Sequence, residues 1–168
     1  MLSLMPPSTT TLYTVGTIKD VLVSVVEPVE TGTQAHAEIS TSSITGTATR
    51  KYVSVDGGMS DNIRPALYAA EYSAAIANRL SDREPVLSRV VGKHCEGGDI
   101  LIRDVFLPSD VSIGDLIAVP GSGAYARSMA SNYNQIPKPP VVSAKDGVTR
   151  VMLRRETLED LMRLDVGE

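Results

Sequence analysis

The chain has one cysteine, and it lies in Gly92-Lys93-His94-Cys95-Glu96-Gly97-Gly98-Asp99. A lone cysteine is more often a small buried hydrophobe than a reactive group. Its neighbours argue for a polar loop instead: Lys93 and His94 before it, Glu96 after it, then two glycines and Asp99. A thiol in such a loop can act as nucleophile, metal ligand or general acid. Zinc would need more Cys or His than the distant His36 adds, so no metal site is expected. A His94–Cys95 nucleophilic pair stays open, although adjacent residues in extended chain usually point apart. The second candidate is Pro120-Gly121-Ser122-Gly123-Ala124-Tyr125. Its glycines permit close backbone approach to a ligand. No Gly-Lys-Ser/Thr follows, so it is not a Walker loop. It reads as a turn, with the Tyr125 phenol available to an anion or phosphate. The third candidate is Arg64-Pro65-Ala66-Leu67-Tyr68. Arg64 and Tyr68 are four apart and would share one helix face, and a guanidinium offers a planar fork to a carboxylate.

These groups need a frame to position them. Thr10 to Val26 carries β-formers at Leu12, Val15, Ile18, Val21, Val23 and Val25 and reads as strand. Glu27 to Arg50 is rich in Ser and Thr and has neither aromatic residue nor Leu. It reads as an inserted loop, in preference to a polar edge hairpin. Tyr52, Val53 and Val55 mark a strand that ends in the turn Asp56-Gly57-Gly58. Ser60-Asp61-Asn62-Ile63-Arg64-Pro65 holds helix-start signals, and propensity alone continues that helix through an Ala-rich stretch to Leu80. Strands follow at Val86 to Gly92, Asp99 to Phe106 and Gly114 to Val119, then a short helix within Ala124 to Asn132. Val141 to Ser143 and Val148 to Leu153 flank Lys145-Asp146-Gly147, a hairpin signal. Glu156 to Leu164 reads as a closing helix, with its acids early and Arg163 late. The fold class is mainly β with a few short helices, in a single domain by its 168-residue length.

Sixteen basic against twenty acidic residues give a formal net charge of −4. That excludes no fold but argues against a nucleic-acid partner, which needs clustered Lys and Arg. No apolar run approaches the roughly 18 residues of a membrane span. Met1 to Thr10 places no basic residue before its few apolar ones, as a secretory signal would. One cysteine rules out an internal disulfide framework, and a cytoplasmic setting is expected. Six Tyr, one Phe and no Trp leave the core to Val, Ile, Leu, Met and Ala.

Four stretches, in order and spacing, carry a resemblance. They are Tyr52-Val53-Ser54-Val55-Asp56-Gly57-Gly58-Met59-Ser60-Asp61-Asn62, Arg64 to Tyr68, Val91 to Asp99, and Gly123-Ala124-Tyr125 with Asn132-Tyr133-Asn134. Together they resemble the C-terminal region of the diaminopimelate decarboxylases. Those are pyridoxal-phosphate enzymes of the alanine-racemase-like fold that make L-lysine from meso-diaminopimelate. The resemblance runs from about Thr10 to the C-terminal helix, leaving out Glu27 to Arg50. It implies a β-barrel or sandwich domain, pyridoxal 5′-phosphate as cofactor, and a homodimer as active unit. By the same resemblance, Cys95 is the general acid that protonates the substrate carbon after carbon dioxide leaves. Glu96 binds the amino group at the distal, L-configured end of the substrate. Arg64 and Tyr68 hold the distal carboxylate, and Tyr125 contacts the cofactor phosphate and the substrate. A substrate with an extra ammonium and carboxylate needs a fixed anion and a fixed cation to recognise it. The resemblance also shortens the first helix to about Ile63 to Ala69, followed by extended chain near Tyr72 to Leu80.

Some features depart from that pattern. Gly97 stands where the family usually has Ser. The family's cofactor-anchoring lysine lies on an N-terminal (β/α)8 barrel, and none of Lys19, Lys51, Lys93, Lys138 and Lys145 matches it. A chain of 168 residues cannot hold a barrel that takes about 250. The expectation is a C-terminal portion that needs a complementing barrel chain and is inactive alone. Such a portion would expose an apolar interface and self-associate, or be poorly soluble without a partner. Two other expectations compete. One is a non-catalytic remnant or interaction module. The other is a piece of an ornithine- or arginine-type decarboxylase, whose members usually carry Asp after the cysteine.

Overall fold

The first strand, β1 (Thr10–Val26), is long enough to serve two neighbours, and the whole barrel is wound on it. Its first half pairs antiparallel with β6 (Leu116–Pro120), from Thr10 opposite Pro120 to Thr14 opposite Leu116. From Val15 onward it pairs with β2 (Ile44–Val55). The change of partner falls at a bulge around Gly16, between Val15 and Thr17. A bulge lets a strand bend and twist away from one neighbour toward the next. The computed structural model describes residues 10–26, 44–123 and 125–167.

The remaining elements follow in chain order: helix α1 (Arg64–Tyr68), β3 (Ala75–Ile76), β4 (Pro85–Val91), β5 (Ile100–Pro108), helix α2 (Ala126–Met129), a 3-10 turn over Tyr133–Gln135, β7 (Val141–Lys145), β8 (Val148–Leu153) and helix α3 (Leu158–Met162). Six strands form one sheet in the order β3-β6-β1-β2-β4-β5, curled into a nearly closed barrel. The mainly β class expected from the sequence is the class observed. One pair is parallel, β2 with β4, in register from Lys51 opposite Ser88 to Ser54 opposite Val91. That pair sets the functional end of the molecule, because both strands finish at the same rim.

The core is aliphatic apart from Tyr13. Val15, Val53, Val90, Leu107, Ile117 and Val119 are among its fully enclosed members. The expected reliance on Val, Ile and Leu holds, while Met is absent from this cluster among the described residues. β7 and β8 form a separate hairpin around Asp146 (φ 51°) and Gly147 (φ 75°). Both turn residues adopt the left-handed backbone that a two-residue turn demands, as the Asp-Gly pair foretold. Helix α3 begins at Thr157, whose hydroxyl and the Asp160 carboxylate form a reciprocal capping box. Val148, Val151 and Met152 of the hairpin, with Leu158 and Met162 of α3, are exposed.

Two readings of the sequence need correction. Residues 44–50, read as the end of an inserted loop, are strand β2, paired with β1 from Arg50 opposite Val21 to Ile44 opposite Val26. Thr and Ile favour extended chain once a ladder partner is present; residues 27–43 lie outside the described residues. The Ala-rich stretch to Leu80 is not one helix. α1 stops at Ala69, which turns left-handed at φ 52°. Ala75 and Ile76 then pair with Ala118 and Ile117 of β6, and Tyr72, Ala74 and Ile76 pack on the core. Burial and a ladder outweigh the few tenths of a kcal/mol per residue that helix propensity offers. The shortened helix implied by the resemblance is the one observed.

Arg79, just after β3, ties this edge to the loop before β6. Its Nε and Nη2 donate to the two Asp115 carboxylate oxygens at 2.8 Å each, and its Nη1 donates to Asp110 at 2.9 Å. The Ser112 amide also donates to Asp115, at 2.9 Å. Arg79 holds the Asp115 carboxyl well below the usual carboxylate range. Asp115 is only 4% exposed, yet it lies just under the surface, where screening trims an ion pair. Asp115→Ala should therefore cost about 1–3 kcal/mol in urea denaturation at pH 7. A depressed native pKa contributes stability above the unfolded value of about 3.9 and loses it as pH falls through the native value. The variant should accordingly show a flatter loss of stability in acid. A cost below about 0.5 kcal/mol, the range of ordinary surface changes, contradicts this assignment.

Candidate functional site

Because β2 and β4 run parallel, the loop after Val55 and the loop after Val91 meet at one rim. The Lys93 amide donates to the Gly57 carbonyl at 3.0 Å. The stronger tie is Asp99, which is 3% exposed. One of its oxygens accepts from the Met59 amide at 2.6 Å and the other from the His94 amide at 2.8 Å. A buried carboxylate must be satisfied in this way or leave the interior. The clamp leaves no room beside it. A Cβ on Gly92 would lie 2.1 Å from Asp99 Oδ2, and one on Gly58 would lie 2.7 Å from it.

The clamp fixes the backbone on either side of Cys95 and sends neighbouring side chains opposite ways. His94 is buried, and its Nε2 shares a hydrogen bond of 2.9 Å with the buried Ser60 hydroxyl. Cys95 is exposed. The polar-loop reading of the cysteine therefore holds, and a His94–Cys95 nucleophilic pair does not, since the imidazole is turned inward onto Ser60. Glu96 is exposed as well, and the Tyr133 phenol donates to its Oε2 at 2.5 Å. The Tyr133 ring leans on the His94 ring, centroids 5.2 Å apart and planes at 59°. Glu96 holds the Tyr133 phenol above the ordinary tyrosine range, by accepting its hydrogen bond and by repelling the phenolate.

Arg64 opens α1 directly after the first loop. The Asn62 carboxamide accepts from the Arg64 amide at 3.4 Å, and Pro65 sits in the first turn, where a missing N–H costs nothing. The Arg64 guanidinium is half-buried and donates to the Tyr72 hydroxyl at 3.3 Å. Tyr68, one turn on, is exposed. The turn reading of Pro120 to Gly123 holds. The buried Ser122 hydroxyl donates to the Val119 carbonyl and accepts from the Thr11 amide, which pins the loop to β1. Tyr125 then adopts φ 65° and is 69% exposed. A left-handed non-glycine residue is costly and recurs where a side chain is held out for use.

Residues 19–123 match a family described as the pyridoxal-dependent decarboxylase C-terminal sheet domain. The chain belongs to this family. The diaminopimelate decarboxylase of Mycobacterium tuberculosis is 49% identical over 160 residues, 95% of this chain and 31% of that protein. The Bacillus subtilis diaminopimelate decarboxylase is 44% identical over 98% of this chain and 31% of its own length. The chain thus spans about a third of the curated relatives it matches. Among solved structures, diaminopimelate decarboxylase from Helicobacter pylori, complexed with L-lysine, superimposes with a TM-score of 0.67. It is 32% identical over 92% of this chain and 31% of that chain. A viral arginine decarboxylase, at 17% identity and TM-score 0.52, shares the fold.

In this C-terminal sheet domain the structure brings the Cys95–Glu96 loop together with Ser60, Asp99 and the Tyr133 turn. Among the described residues, no hydrogen bond or ion pair joins Arg64, Tyr68 or Tyr125 to Cys95 or Glu96. Sequence reasoning passed over Asp99 as an anchor, Tyr72 as the partner of Arg64, and Tyr133 as the partner of Glu96. Two of them had a sequence signal: Gly92 shortly before Asp99, and the Asn132-Tyr133-Asn134 stretch around Tyr133. Gly92→Ala should push Asp99 off its amides, cost about 1–3 kcal/mol, and speed hydrogen exchange at Met59 and His94. Gly97→Ala, with nothing within 4 Å of its added Cβ, should stay within about 0.5 kcal/mol. Equal losses from the two substitutions contradict the clamp.

Proposed function

We propose that this chain forms the C-terminal part of the active site of a cytoplasmic, homodimeric diaminopimelate decarboxylase. The reaction is conversion of meso-2,6-diaminopimelate to L-lysine and carbon dioxide, with pyridoxal 5′-phosphate and with a barrel supplied from outside these 168 residues. The observation that carries the reading is the exposed Cys95 beside Glu96 on a loop whose backbone is clamped from within. Identity of 49% over 95% of the chain to curated diaminopimelate decarboxylases supports it, as does the L-lysine complex of the Helicobacter pylori relative. The side chains present fit the edge of such a cofactor site. A phenol held outward by left-handed backbone at Tyr125 can donate to a phosphate oxygen. An exposed thiol can deliver a proton.

Pyridoxal phosphate, when bound, supplies the electron sink that lets carbon dioxide leave. Cys95 then gives its S–H proton to the carbon that lost the carboxylate, and the thiolate regains a proton from water. Glu96 accepts hydrogen bonds from the distal ammonium. Arg64, steadied by Tyr72, and Tyr68 face the distal carboxylate, an arrangement suited to a substrate charged at both ends. An ornithine or arginine substrate would give Arg64 no distal carboxylate to bind. Mixing this chain with a barrel fragment and cofactor should yield carbon dioxide from meso-diaminopimelate, and Cys95→Ala should lower the rate by about 10²–10⁴. The chain alone should yield none. Activity that survives Cys95→Ala refutes the assignment, and an inert mixture in which both pieces bind supports a non-catalytic remnant.

A further inference from the structure

Glu96 has two oxygens in different circumstances. Oε2 accepts from the Tyr133 phenol, whereas Oε1 has no hydrogen-bond partner among the described residues. A Cβ on Gly98 would lie 3.3 Å from Oε1, so the glycine there keeps that oxygen open. Glu96 is also exposed, and an exposed glutamate ordinarily samples several rotamers. Here one end of the carboxylate is tied down and the other is presented.

The group that ties it down is itself built in. Its ring rests on His94, and His94 is fixed through its amide by Asp99 and through its imidazole by Ser60. The turn that carries Tyr133 places two successive non-glycine residues, Asn134 (φ 56°) and Gln135 (φ 58°), in left-handed backbone. Such a turn persists only where its surroundings over-determine it. The Ser131 amide donates to the Ser60 carbonyl at 3.0 Å. The Asn132 side-chain amide donates to the Ile136 carbonyl at 3.1 Å and to Glu156 at 2.7 Å. The ring could pack on His94 without a hydroxyl. Among the described residues, only Glu96 uses the hydroxyl.

We propose that Tyr133 is a positioning and specificity-determining residue. Its phenol holds the Glu96 carboxylate by Oε2, so that Oε1 meets the distal ammonium of the substrate in one orientation. This rests on the reading of Glu96 given above. The pair then selects a primary ammonium at a fixed height above the loop, and the selection acts on binding rather than on proton delivery by Cys95.

Two measurements test it and separate it from the reading beneath it. In the 168-residue chain, Hα–Hβ couplings of Glu96 should report one rotamer, and in Tyr133→Phe they should average. The Tyr133 phenol should titrate above the ordinary value of about 10 and return toward it in Glu96→Gln. In the enzyme reconstituted with its barrel, Tyr133→Phe should raise KM for meso-diaminopimelate about 5- to 20-fold, with kcat within about 2-fold. In the Glu96→Gln background, Tyr133→Phe should add less than about 2-fold. If Glu96→Gln raises KM and Tyr133→Phe does not, the positioning role is wrong and the ammonium site stands. If neither raises KM, the ammonium site fails and this inference with it. A fall in kcat at constant KM in Tyr133→Phe overturns the inference as well. If the barrel complex does not assemble, averaged Glu96 couplings in the wild-type chain still overturn it.

Discussion

A single buried carboxylate organises the functional rim. Asp99 takes one backbone amide from each of two loops, at 2.6 Å and 2.8 Å. The interior tolerates its charge because both oxygens are satisfied, and charge-assisted bonds to amides are the strong kind. The tie also dictates composition, since only glycine fits at 58 and 92 against those oxygens. His94 must then turn inward, and its neighbour Cys95 must turn out.

The rest of the fold exists to bring those two loops to one place. A parallel pairing of β2 and β4 does so, and it demands a connection that leaves the rim and returns. Helix α1, β3 and the Arg79 knot occupy that connection, which explains why Arg64 begins where the first loop ends. Backbone strain collects around the same region. Apart from Asp146 in the hairpin turn, the left-handed non-glycine residues among those described are Ala69, Tyr125, Asn134 and Gln135. Ala69 follows Tyr68, Tyr125 is itself assigned to binding, and Asn134 and Gln135 form the turn that carries Tyr133. A barrel of Val, Ile and Leu can bear such local costs because its own ladder and burial are regular.

Local features were legible in the sequence, and non-local ones were not. The hairpin at Asp146-Gly147 was readable because a two-residue turn is decided by its own residues. Cys95, Arg64, Tyr68 and Tyr125 stood out by residue type and neighbours, and the strands around them by alternation. The Ala-rich stretch misled because its fate depends on β6, more than forty positions from its start. Residues 44–50 misled for the same reason, their partner being a strand upstream. Asp99, Ser60, Tyr72 and Tyr133 act through contacts between separate segments, so a local signal such as the Asn132-Tyr133-Asn134 stretch can mark a residue but not what it holds. The roles of Cys95, Glu96, Arg64, Tyr68 and Tyr125 remain proposals carried by resemblance and supported by exposure and anchoring.

Such a clamp requires the loop to be set before any ligand arrives. Nitrogen-15 relaxation of the His94, Cys95 and Glu96 amides in the ligand-free chain measures this directly. Order parameters of about 0.85, as in rigid backbone, are expected, and values below about 0.6, as in flexible loops, would contradict a preset loop.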